Sequence, residues 1–460
     1  MGMSAVHEPQ TLSVEKSAIR KISIRLVPFV ALMFFINYLD RTAIGFAAPS
    51  GMNADLGLSA AQFGFASGVF FLGYIVLEVP SNLALNKFGA RRWLARIMIS
   101  WGIVAVLFTF VQTFTQLTTL RFLLGVAEAG FFPGAILFLS MFVPARYRSG
   151  ILGLFYLAQP LTTVIGAPLA GWLISQNGIF GLEGWRFMFL GVGVPAIIVG
   201  IVAWFYLSDS PAKTTWLNDD EKEWLNGELT AEAASKTSGH ERHSVRAVFR
   251  NGRVWTLSFI YFGFVYGLYT LAFFLPTIIS GFEAQYGVKF DYLQKGFITA
   301  IPYLPAAIAL YFVTRHATKH GVKPGYIIIP ALAGAVSIPL ALYAGSPALT
   351  IAIITVTACA IFSALPNFWT VPTQFLTGAA AAAGIALINT VGNLAGFSAG
   401  FVTGWLKDWT GGYTVPMFVV GGFLLLSAIL MVVLSRSGKI SEGVPAEALD
   451  PSGAGHHAEP

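Results

Sequence analysis

The chain has 460 residues, 55% of them hydrophobic and 11% charged, with a formal net charge of +6 and a mean hydropathy of +0.69. A soluble globular chain carries about 25% charged residues, so a soluble fold is excluded, and only helices or a closed barrel satisfy the backbone in lipid. Apolar runs of about 20 residues without alternation favour helices, and the lone Cys359 excludes a disulfide framework within the chain and any cysteine-based metal site.

Residues 1–25 form a polar, basic N-terminal segment. They lack the apolar stretch of a signal peptide and include Glu8 and Glu15. Twelve spans are predicted, over 26–48, 62–83, 93–112, 117–142, 150–175, 185–207, 254–279, 294–314, 324–345, 348–372, 380–406 and 414–435. They form two six-helix bundles, 26–207 and 254–435, separated by the loop 208–253 and followed by a tail, 436–460. In the loop, Asn218 and Glu221 have capping-box spacing, which predicts a short amphipathic helix. The stretch 230–244 is polar and reads as mobile.

Lys and Arg alternate along the loops. Lys16, Arg20, Lys21 and Arg25 precede span 1, and Lys87, Arg91, Arg92 and Arg96 flank the turn after span 2. Arg146 and Arg148 lie between spans 4 and 5, Arg315, Lys319 and Lys323 between spans 8 and 9, and Arg436 and Lys439 after span 12. Loops 49–61 and 113–116 carry none. The excess of basic residues on one side places both termini in the cytoplasm. The positive net charge is thus a topology signal, with no nucleic acid needed. Gly171-Trp172-Leu173 ends span 5 and Gly404-Trp405-Leu406 ends span 11, a faint repeat between the halves. Repeats of this kind put a substrate site near the midplane, between the halves.

Asp40, Arg41, Arg121 and Glu128 are ionisable residues within the spans. A charge at the bilayer centre costs on the order of 3 kcal/mol on insertion scales, so such groups must face protein or water and have partners. Two carboxylates with two guanidinium groups suit the movement of an anion together with protons. Arg121 and Glu128 are seven apart, on one helix face and about 10 Å apart along the axis. A structural ion-pair network is the competing reading, but buried pairs are often neutral for stability. The planar fork of Arg121 suits a carboxylate. Asp40 and Arg41 are adjacent, so their side chains diverge by about 100°.

Glu78, near the end of span 2, reads as a partner of the basic turn Lys87–Arg92. Arg186 reads as a surface ion pair with Glu183. Tyr74, Gln159, Asn389 and Asn393 are polar groups on apolar helices. They either tie helices together or bind substrate hydroxyls and carboxylate oxygens. Tyr38, Phe155, Tyr266 and Trp369 either pack or line an aromatic cleft. No Walker loop, dinucleotide fingerprint or His-Glu-x-x-His is present, so no cofactor, metal or catalytic residue is expected.

These residues resemble the major facilitator superfamily and, within it, the anion:cation symporters of the bacterial sugar-acid, tartrate and aromatic-acid permease type. The resemblance rests on Asn37-Tyr38-Leu39-Asp40-Arg41, Pro80-Ser81-Asn82, Gly89-Ala90-Arg91-Arg92-Trp93 and the run Arg121–Gly130. It also rests on Asp209-Ser210-Pro211, Phe368-Trp369-Thr370 and Gly384–Asn389. Asn86 stands before Lys87 where the superfamily's loop motif has an acidic residue. The resemblance implies an all-α fold of twelve spanning helices in two six-helix pseudo-repeats. It further implies Arg121 on the substrate anion, Asp40 and Glu128 as proton-coupling residues, and Arg41 as a charge regulator at the substrate site. The turn with Lys87, Gly89, Arg91, Arg92 and Glu78 would be a cytoplasmic gate. The expected function is proton-coupled import of a small organic carboxylate by a monomer in the lipid of a bacterial inner membrane. An exporter or antiporter of similar anions, or a transporter-like sensor, is the alternative.

Overall fold

The computed structural model describes residues 8–237, 249–373 and 378–436, and among them every regular element is helical. Residues 238–244 of the polar stretch 230–244 and nearly all of the tail 436–460 lie outside the described residues. The first half comprises α1 (Glu8–Ala47), α2 (Ala60–Phe88), α3 (Ala90–Leu107), α4 (Phe114–Ser140), α5 (Ala145–Ser175) and α6 (Gly184–Tyr206). A connecting helix, α7, runs over Asp219–Thr237. The second half comprises α8 (Gly252–Ser280), α9 (Tyr292–His320), α10 (Gly325–Leu340), α11 (Pro347–Thr373), α12 (Gly378–Thr410) and α13 (Thr414–Arg436). Twelve of these are long and apolar enough to cross a membrane, so the chain is a multi-pass membrane protein of two six-helix halves.

Two departures from the expected spans have local causes. Helix α1 begins at Glu8, below the apolar run, because its amphipathic stem has a partner in α7. Ser17 Oγ and Lys21 Nζ donate to Glu221 at 2.6 and 2.8 Å. The capping box forms as expected: Glu221 N donates to Asn218 Oδ1 at 2.8 Å, and Asn218 N to Glu221 Oε2 at 2.9 Å. Burial pushes the Glu221 carboxyl up, but the donors from Lys21, Ser17 and Asn218 outweigh it and hold the group below its usual range. A depressed carboxyl contributes stability that is present at neutral pH and is lost only as pH falls through the lowered value. The strap is reinforced where Arg148 pairs with Glu232 at 2.8 Å and Arg146 with Glu15 at 3.0 Å. The second departure is a break in α4 at Ala129–Gly130, where Gly130 takes φ 84°.

Helix α2 packs along α12, α5 along α9, and α1 meets α8 at the centre. Without a hydrophobic force between helices in lipid, close backbone approach at small residues supplies the packing. The Gly-Trp-Leu repeat marks two such places. A Cβ on Gly171 would lie 2.3 Å from Tyr292 O, and one on Gly404 2.1 Å from Ala60 O. Each glycine thus seats the end of one half's helix directly on the backbone of the other half. The neighbouring Trp172 and Trp405 are about half exposed. Beside Gly404, the Asp408 carboxylate caps the N-terminus of α2 across the interface, accepting from Ala60 N at 3.1 Å and Ala61 N at 2.7 Å. The Ser59–Gln62 capping box satisfies the next amide of that terminus.

These crossings join the halves at the end away from the basic loops. On the other side of them lies a cavity of about 380 Å³, within the range of small-molecule sites.

Candidate functional site

Six helices deliver the polar groups of the cavity: Tyr38 and Arg41 from α1, Tyr74, Glu78 and Asn82 from α2, Gln159 from α5, Tyr261 and Tyr269 from α8, Trp369 from α11, and Asn389, Thr390 and Asn393 from α12. Helices α1 and α8 run from the basic end inward, and α2 runs back towards it. Chain position therefore places Arg41, Tyr74, Tyr269 and Asn393 around the deep end, near the middle of the bundle. Asn82, Trp369 and Ile385 stand towards the basic end.

At the deep end the Arg41 guanidinium lies at a junction. Its Nε donates to Glu128 Oε1 at 2.9 Å and its Nη2 donates to the same oxygen. Its Nη1 donates to Tyr269 OH at 3.1 Å, a bond between the two halves. The rings of Phe70 and Tyr74 lie 4.9 and 5.3 Å from the guanidinium carbon, a cation–π setting. Glu128 is fully buried behind this arginine, and its Oε2 has no hydrogen-bond partner.

Arg121 is placed differently from its expected role. It is fully buried and does not line the cavity. Its Nη2 donates to Ser67 O at 3.2 Å, Nε to Ala66 O at 3.4 Å, and Nη1 and Nη2 to Arg41 O at 3.5 Å. The face of α4 shared with Glu128 points at the α1–α2 junction, so the backbone of Arg41 stands between Arg121 and the cavity. The cavity's arginine is Arg41. Asp40 diverges from it, as adjacency on a helix requires. It is 1% exposed, and neither of its carboxylate oxygens has a hydrogen-bond partner. It lies within Coulombic reach of Arg121 and Glu128.

Glu78 also departs from its expected place. Instead of pairing with the Lys87–Arg92 turn, it faces the cavity and reaches across to the second half. Asn389 Nδ2 donates to its Oε1 at 2.6 Å, and Asn393 Nδ2 to its Oε2 at 3.5 Å. The turn has its own acid in Asp209, which accepts from Arg91 N at 3.2 Å and pairs with Arg91 Nε at 3.5 Å. A Cβ on Gly89 would stand 2.7 Å from that carboxylate. Asp209 lies just after α6, at the start of the loop between the halves, so the basic turn is tied to the end of α6 in its own half. Lys87 lies 5.6 Å from the Phe88 ring, and Arg92 is exposed.

Tyr38, Tyr74, Gln159, Asn389, Asn393 and Trp369 all line the cavity. Phe155 packs behind it against Phe34, and Tyr266 turns away to Thr403 Oγ1 at 3.3 Å. One turn further along α8, Tyr269 occupies the position expected of Tyr266. No sequence signal separates these two tyrosines. Asn37, buried beside Glu128, was also not singled out, although it sits one helical turn before Arg41. Arg186 pairs with Glu183 as expected, but it is buried, and its Nη1 donates to Thr109 O at 3.0 Å and Val111 O at 2.5 Å.

Chemically, the arrangement presents one arginine to an aromatic-rich cavity, with a buried carboxylate already bound to it from behind. An anion entering the cavity must take that guanidinium from Glu128 or share it.

Residues 30–400 match the family model described as Major Facilitator Superfamily. The chain is 46% identical to a protein of Agrobacterium vitis described as "Putative tartrate transporter", over 93% of each chain. It is 38% identical to a "Quinolone resistance transporter" of Acinetobacter baumannii, over 92% of this chain and 96% of that one. Among solved structures, a bacterial homologue of the human lysosomal transporter Spinster superposes with a TM-score of 0.72 at 17% identity, covering 90% of this chain and 97% of that one.

Proposed function

The chain belongs to the Major Facilitator Superfamily, and on that premise we propose that this transport protein imports a small organic carboxylate together with protons, by alternating access. The observation that carries this reading is the position of Arg41: it faces the cavity while paired with the buried Glu128. The substrate carboxylate and Glu128 compete for one guanidinium. A carboxylate displaced from its cation in a buried site takes up a proton, because isolated charge is costly there. Proton and anion therefore bind together. Asp40, buried with unpartnered oxygens near Arg121, is the second proton-coupling group.

Charge accounting points the same way. With every group ionised, Arg41 and Arg121 face three carboxylates, Asp40, Glu78 and Glu128, and an anion is disfavoured. Each proton taken up by Asp40 or Glu128 makes the site more receptive, while Glu78 stays ionised. Loading from an acidic exterior and release to a less acidic cytoplasm follow.

Replacing Glu128 by glutamine imitates a permanently protonated acid. In proteoliposomes, Glu128→Gln should lose pH-driven accumulation yet keep exchange of labelled substrate between equal pools, because exchange needs no net proton release. Continued uphill accumulation on a pH jump would leave Asp40 as the coupling residue and remove Glu128 from the mechanism.

The excess of basic residues in the loops supports a cytoplasmic position for the cavity end of the molecule. With Cys359 replaced by serine, cysteines introduced at 235 and 447 should resist an impermeant maleimide in intact cells. Labelling of either from outside reverses the orientation. Export of an organic anion is a second reading, favoured by the similarity to the quinolone resistance transporter. The direction of uphill flux in oriented vesicles separates it from import.

A further inference from the structure

We propose that Glu78 is a specificity-determining residue that accepts hydrogen bonds from substrate hydroxyl groups, so that the site selects hydroxylated carboxylates over their deoxy counterparts. This rests on the reading of Arg41 as the anion site. Glu78 is half-buried in the wall of the same cavity, on α2, one turn closer to the basic end than Tyr74. A molecule held at Arg41 that extends towards the basic end runs alongside it.

An ionised carboxylate only accepts hydrogen bonds, with about four lone-pair positions. Asn389 takes one on Oε1, and Asn393 makes a long contact at 3.5 Å to Oε2. Acceptor capacity is left on both oxygens, and a cavity ligand can use it only by donating. A second substrate carboxylate cannot donate and would meet a like charge. Adjacent hydroxyls can donate to the two oxygens, while the amides of Asn389 and Asn393, on the other half, stand ready to bond hydroxyl oxygens in turn. An ammonium could also donate, but Arg41 is within Coulombic reach of Glu78 and disfavours a second cation in this small volume. The recognition spans the halves: Glu78 comes from the first and its asparagines from the second, so a hydroxylated substrate engages both.

Sites built to bond a substrate hydroxyl reject the analogue that lacks it, because their polar groups are then left without that partner. The test is calorimetric titration of purified full-length protein with two matched pairs, gluconate against hexanoate and tartrate against succinate, and with aspartate. The wild type should bind the hydroxylated member of at least one pair tenfold or more tighter than the deoxy member. In Glu78→Gln that ratio should fall below threefold, and in Glu78→Asp, which keeps the charge but shortens the reach, it should fall between the two. A tenfold preference surviving in Glu78→Gln overturns the proposal, as does a wild type that binds no hydroxylated acid more tightly than its counterpart. Aspartate binding more tightly than tartrate in a Glu78-dependent way overturns the choice of hydroxyl. Should Glu78→Gln not elute as folded protein, the Glu78→Asp ratio decides, and an unchanged ratio counts against Glu78. Arg41→Gln is titrated in parallel. If it binds all the acids as the wild type does, the anion site is wrong, whatever the hydroxyl ratio shows.

Discussion

Arg41→Ala should abolish carboxylate binding, with a loss on the order of a hundredfold or more in affinity. Removing one member of a buried, hydrogen-bonded charge pair costs about 2–5 kcal/mol, and each 1.4 kcal/mol is about tenfold. The same substitution also leaves Glu128 buried without its cation, which lowers stability. The double variant Arg41→Ala/Glu128→Gln separates the two effects. It should regain thermal stability and still fail to bind. Arg41→Lys should recover little, because an ammonium cannot offer the planar fork that now reaches Glu128 and Tyr269 together. Arg121→Ala should behave differently. It removes the side-chain bonds from the guanidinium to the carbonyls of Arg41, Ala66 and Ser67, which tie α4 to α1 and α2, so melting temperature should fall more than the affinity of the folded fraction. Near-normal binding by Arg41→Ala, with loss in Arg121→Ala, would return the anion site to Arg121.

Gly404→Val should reduce transport at least tenfold by preventing the halves from closing at the end away from the basic loops. The added Cβ would stand 2.1 Å from Ala60 O, well inside van der Waals contact, and a backbone atom cannot move aside as a flexible side chain can. The helices of each half are not in the way, so the protein should still elute as a folded species. Conformation can be read directly: in a background with Cys359→Ser and Ala61→Cys, maleimide reactivity at position 61 should rise severalfold when valine is introduced. Gly171→Val, the counterpart against Tyr292 O, should produce the same phenotype. Wild-type transport with unchanged reactivity in both variants would show that these crossings do not close the carrier.

The twelve spans were legible because each is a long apolar run, and the four intramembrane charges stood out against that background. What sequence could not give was rotation. Adjacency fixes the angle between Asp40 and Arg41, but not which of them meets the cavity. Seven-residue spacing gives Arg121 and Glu128 a common helix face, but not the object that face meets. Glu78 shows a second limit. Its partners lie more than 300 positions away, in the other half, and nearby basic residues offered a local pairing that looked sufficient. The extension of α1 lies beyond the apolar signal for the opposite reason: its stem is polar, and its helix is supported by Ser17 and Lys21 binding Glu221 of α7 rather than by lipid. The Gly-Trp-Leu repeat was visible as a pattern, but its meaning, a glycine at each crossing of the two halves, appears only when the halves are together.

The break in α4 gives the bundle a pivot. The helical hydrogen-bond ladder ends at Glu128 and restarts at Phe131, so the arms above and below can tilt relative to one another. The upper arm ends in the residue that grips Arg41. The lower arm carries Phe132 and Pro133, which form part of the cavity wall. A change in how Glu128 is held therefore need travel only a few peptide units along the chain to reposition that wall. On the proposed coupling through Glu128, the chemical event and its mechanical lever would share one fulcrum, with no relay of side chains required between them.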